Sequence, residues 1–75
     1  MSHVYHVTRH EAYEQVGDLG LFGSLGGALV KVHEAMVVAG ALGAGVEVVE
    51  EAEGLTTYTC ASLGVGWTIE RRPVR

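Results

Sequence analysis

Four histidines, a single cysteine and a cluster of glutamates are the side chains of this chain that could do chemistry. Imidazole nitrogen is the commonest ligand for zinc, nickel and copper, so His3, His6 and His10 invite a metal reading. Spacing argues against it. Residues 3 and 6 are an odd number apart, which in a strand sends their side chains to opposite faces, and a His10/Glu14 pair at i, i+4 on a helix is an ordinary solvated contact. No metal site is expected. A reactive Cys60 would need an adjacent base or positive charge. Alternating with Tyr58 and Ser62 along a strand, it reads instead as a small buried apolar residue. Being alone, it also excludes an intrachain disulfide, a zinc finger and a redox CxxC motif.

His33 stands beside Glu34 in an apolar arc, where a titrating imidazole could couple protonation to assembly; the plainer expectation is a histidine hydrogen-bonded within a core or interface. Gly23-Ser24-Leu25-Gly26-Gly27 fits neither G-x-x-x-x-G-K-[ST] nor G-x-G-x-x-G and is expected to be a connector, not a phosphate cradle. Glu47, Glu50, Glu51 and Glu53 concentrate negative charge, either as a solvated turn or as an acidic patch that docks on a basic protein surface. No catalytic residue, cofactor or metal ligand is assigned, and the chain is not expected to be an enzyme.

The elements that must carry these residues follow from periodicity and punctuation. Residues 4–7 are β-prone. Thr8-Arg9-His10-Glu11 has the spacing of a capping box, so a first helix is expected over 9–16, stopped by Gly17. Glycines at 17, 20, 23, 26 and 27 predict a flexible connection. Phe22, Leu25, Leu29, Val32, Met36 and Ala39 recur at helical spacing, predicting a second helix over about 24–39 that Gly40 ends. Three strands follow at 46–51, 55–62 and 65–71, linked through Glu53-Gly54 and Leu63-Gly64 as an antiparallel meander. The expected fold is α+β, in the order β-α-α-β-β-β, with the meander packed against one main helix. All 75 residues are assigned to one compact domain, with 72–75 a mobile tail.

The second helix has more apolar surface than one sheet requires. Leu25, Leu29, Val32 and Met36 form one stripe and Gly26, Val30, His33 and Val37 a flank, together spanning roughly half the circumference at about 100° per residue, where a monomer needs a stripe of about 100°. Either the first helix covers that flank or a second copy does. The second copy is favoured, because a core in a chain this short is marginal. The expected homodimer interface is Gly26, Val30, His33, Val37 and Gly40.

Charge narrows the partners. Residues 1–70 carry only Arg9 and Lys31 against nine carboxylates, and Arg71, Arg72 and Arg75 follow. An acidic body repels phosphate, so nucleic acid is not expected. The longest apolar stretch, 35–46, is too short to span a bilayer of about 30 Å. The N-terminus lacks the features of a secretory signal, and a cytoplasmic location is expected. Much Ala, Gly and Val with a single Lys suggests a bacterial or phage accessory protein. The expected function is a homodimeric protein–protein interaction module, an adaptor or inhibitor. The alternative is a ligand-binding homo-oligomer with Trp67, Tyr58 and Tyr5 lining an intersubunit pocket, since apolar pockets with aromatic walls favour such places.

Overall fold

The structure is a computed structural model that describes residues 3–11 and 14–74. Strand β1 (His3–Glu11) is followed by β2 (Glu14–Phe22), helix α1 (Leu25–Ala39), β3 (Glu47–Ala52), β4 (Leu55–Cys60), a short 3-10 turn (Ala61–Leu63) and β5 (Val65–Pro73). The strands make one antiparallel sheet in the order β2-β1-β5-β4-β3. The α+β class, the C-terminal meander and the single main helix agree with expectation.

The first helix does not. Residues 9–11 continue β1 and residues 14–16 belong to β2, so the order is β-β-α-β-β-β. The capping spacing at Thr8 is a local signal, and it is outweighed by pairing on both sides: Thr8 lies opposite Asp18 of β2 and Thr68 of β5. Its side chain is buried, and its hydroxyl lies 3.1 Å from His10 Nε2 instead of capping a helix. Thr8 is β-branched and follows Val4-Tyr5-His6-Val7, a run that suits a pleated strand better than a helix start.

The glycine-rich stretch is likewise strand as far as Phe22. Glycines are tolerated there because β2 is an edge strand with two register shifts against β1, between Val7 and Thr8 and between Arg9 and His10. At the first shift Gly20 adopts φ +116°, which a side-chain-bearing residue rarely reaches. Asp18 Oδ1 accepts its N–H at 2.9 Å and fixes the bulge.

Helix α1 begins where the sequence predicts. Ser24 is the N-cap, its hydroxyl accepting the Gly27 N–H at 3.1 Å, and Gly40 closes the other end in the left-handed conformation. The buried face is Ala28, Val32 and Met36, while Leu25 and Leu29, expected in the core stripe, are 47% and 41% exposed. Small residues turn the helix this way. Ala28 sits flat on the sheet, and a side chain added at Gly27 would reach the Phe22 ring at 3.6 Å.

Paired residues share a sheet face, so Val7 with Ile69, Arg9 and Tyr58 with Trp67, and Cys60 with Val65 lie on the side that carries the core. Trp67, Val7, Val32 and Cys60 are its largest fully buried side chains. Helix α1 packs over β1 and β2. The β3 end of the same sheet face is open, and every residue of β3 is exposed. Strand β5 runs further than 65–71, with Arg72 opposite Val4 and Pro73 opposite His3.

Candidate interaction surface and cleft

The flank of α1 assigned to an interface is uncovered. Gly26, Val30, His33, Val37 and Gly40 are all exposed, Val30 by 61% and Val37 by 54%. The helix that might have covered them within the protomer is strand instead. Beside this flank, Leu29, Val32 and Met36 form an almost wholly apolar groove with Tyr58 of β4. Burial there pushes the Tyr58 phenol above its usual pKa by disfavouring the phenolate. Val48 pairs with Tyr58, lies on the same sheet face and is 58% exposed, so the apolar surface continues onto the open end of the sheet.

The four glutamates of the expected acidic patch do not share one face. Glu50 pairs with Thr56, and together with Glu53 it borders a depression containing Tyr5, Leu25 and Arg71 on the helix side. Glu51 borders the opposite side with His10, Thr57 and Thr59, and Glu47 pairs with Thr59 there. Glu53 is engaged by Arg71, whose Nη2 donates to it at 3.1 Å. Strand alternation, invisible in a count of charges, divides the cluster.

The histidines are also placed apart from one another. His10 pairs with Gly66 and Gln15 in the sheet, so residues 10 and 14 do not share a helix face. Its Nε2 lies 2.9 Å from Thr68 Oγ1 and 3.1 Å from Thr8 Oγ1. His6 Nε2 lies 3.1 Å from Asp18 Oδ1. That contact, then the Gly20 N–H, holds the Asp18 carboxyl below the usual aspartate range. Among the described residues no group of three or more His, Cys, Asp or Glu could hold a metal ion. Cys60 is buried, with Ser62 Oγ 3.6 Å from its sulfur. His33 is exposed in the protomer.

A cleft of about 710 Å³ runs along α1 between Arg9 of β1, Leu19 of β2, Lys31, Ala35 and Val38 of α1, and Trp67 of β5, and it shares His33, Glu34 and Val37 with the flank and the groove. Trp67 is fully buried, and its Nε1–H is the one buried side-chain polar atom without a partner among the described residues. Leaving such a donor unpaired costs about 1–3 kcal/mol. Arg9 Nη1 contacts Glu11 Oε2 at 2.5 Å.

Comparisons with protein-family models, curated proteins and solved structures find no match. The chemistry therefore has to be read from this surface itself. Trp67, Tyr58 and Tyr5 border three different depressions in the protomer and form no common pocket there. Sequence reasoning missed the Arg9, Lys31 and Trp67 cleft because Arg9 was placed on a helix. The signal was present: the two basic residues of the first seventy flank it. No helix of the described residues is long and apolar enough to cross a membrane.

Proposed function

We propose that the chain is a non-enzymatic protein–protein interaction module that assembles with a second copy of itself through the outer flank of α1. The carrying observation is the continuous exposed apolar surface from Val30 and Val37 through the Leu29/Tyr58 groove to Val48. Scattered exposed apolar residues are ordinary, whereas a contiguous patch marks an association surface.

Size supports a second copy. The protomer exposes 4863 Å², about a tenth more than the roughly 4,400 Å² expected of a compact monomer of this mass. Its radius of gyration is 12.0 Å against about 11.3 Å for a chain of this length. Val30 and Val37 are uncharged, and the exposed Glu34, which borders the Leu29/Tyr58 groove, is the carboxylate that two copies meeting about a two-fold axis must keep from its own symmetry mate. Gly26 and Gly40, near the two ends of the flank, allow the backbones to approach. A further protein would dock on the remaining sheet surface as adaptor target or inhibited partner, the divided carboxylates setting a salt-sensitive encounter rate.

Light scattering after size exclusion, at micromolar concentration, tests this reading. The expected mass is at least twice that of the chain, falling to the monomer in a Val30→Asp/Val37→Asp double variant. A strictly monomeric wild-type protein refutes it.

A further inference from the structure

The exposed side chains of β3 are divided between the two surfaces of the sheet. Val48 and Glu50 stand on the helix side, paired with Tyr58 and Thr56, while Glu47 and Val49 stand on the far side, paired with Thr59 and Thr57, and Glu51 borders that far side. Val48 is 58% and Val49 42% exposed, so consecutive β-branched residues leave apolar surface open in both directions. A partner lying on either surface would cover one valine and part of the charge. A strand laid alongside β3 would flank all of residues 47–51, because its side chains alternate over the same two surfaces. The main chain has room for one: β3 ends the strand order β2-β1-β5-β4-β3, and helix α1 packs over β1 and β2.

The carboxylates decide what such a strand carries. Glu11, Asp18, Glu53 and Glu70 each meet an arginine or an imidazole within the protomer, whereas Glu47, Glu50 and Glu51 have no ion-pair partner among the described residues. A second copy does not supply the missing cations in extended form. Arg71 and Arg72 are paired to Tyr5 and Val4 of β1 and engage Glu53 and Glu70, and Arg9 and Lys31 are isolated on β1 and α1. We infer that the edge of β3 receives an extended basic segment of another protein as an antiparallel sixth strand, with Lys or Arg opposite Glu47, Glu50 and Glu51 and apolar residues opposite Val48 and Val49. Antiparallel pairing is the more stable per residue. Strand addition draws affinity from main-chain hydrogen bonds and sequence choice from the alternating side chains, here basic-basic-apolar-apolar-basic along the added strand. This rests on the reading of the chain as a protein interaction module and does not require association through α1.

The probe is a capped peptide, Thr-Lys-Lys-Val-Val-Lys-Thr, titrated into the full chain to about 1 mM, the weak end of specific affinities, while backbone amide resonances and amide hydrogen exchange are followed. A saturable shift centred on residues 47–52 is expected, with slower exchange of the β3 amides that gain an acceptor. Affinity should fall between about 20 and 200 mM salt as the charges are screened. Replacing both valines of the peptide by proline keeps its charge and removes main-chain donors, and should weaken binding by about tenfold or more. A Glu47→Gln/Glu50→Gln/Glu51→Gln variant with an unchanged circular dichroism spectrum should bind the original peptide about tenfold more weakly, the combined effect of small cross-strand charge pairs. Absence of a saturable shift at β3, equal binding of the proline peptide, or undiminished binding by the glutamine variant overturns the inference. Light scattering on the same samples reports subunit number: a dimer that ignores the peptide sinks the added strand alone, and a monomer that binds it sinks only assembly through α1.

Discussion

Asp18 does two jobs at one bulge. Its carboxylate accepts the Gly20 N–H and meets the His6 ring, and both contacts favour the charged form. The folded-state pKa is depressed, so the stabilisation is present above the ordinary aspartate range and is lost as pH falls through the folded value. Asp18→Asn should therefore be less stable than wild type at neutral pH, with the two converging in strong acid; urea titrations across pH would show this. Gly66 is a different kind of constraint. A Cβ there would stand 3.0 Å from the Tyr58 carbonyl oxygen, a backbone atom of the neighbouring strand that can move only by opening the sheet. Gly66→Ala should lower the melting temperature of the folded protein, whereas Gly43→Ala, with nothing within 4 Å of the new atom, should change it little.

The helix and the meander were readable because their signals are repeated and agree. Ser24, the 3–4 spacing of apolar residues and Gly40 all describe one helix, and each is found in its expected role. Ser24→Ala should cost about 1 kcal/mol, measurable by thermal or denaturant unfolding. Thr8-Arg9-His10-Glu11 imitates a helix start in four residues, whereas the β-prone run before it and the pairing on both sides decide for strand. Glycine was also read as a loop signal where an irregular edge strand uses it. Pairing to a strand sixty residues away, Thr8 against Thr68, cannot be seen in a local window. The same error hid the cleft, since Arg9 reaches the helix side of the sheet only as part of β1. The rotation of α1 toward Ala28 was equally hidden: periodicity gives a face but not which of its edges meets the sheet.

The whole molecule is long and thin, 38 × 21 × 19 Å, with its helix over one end of its sheet. A protomer so shaped has a small core, and association that buries the α1 flank adds to folding stability by mass action. The melting temperature of wild type should rise with protein concentration between about 1 and 100 μM, while Val30→Asp/Val37→Asp should show no such rise; a concentration-independent wild-type transition would count against assembly.

Strand β3 sits at the rim of the sheet with all six residues exposed. A bare rim of this kind ordinarily invites further strands to join. In Glu-Val-Val-Glu-Glu-Ala half of the positions are acidic, and alternation spreads the carboxylates over both surfaces of the rim. Two identical rims aligned in parallel and in register would set Glu47, Glu50 and Glu51 each against its own copy, and like charges directly opposite are destabilising. Joining of copies through β3 is thereby disfavoured, and the association proposed for this chain would use the outer face of the helix instead.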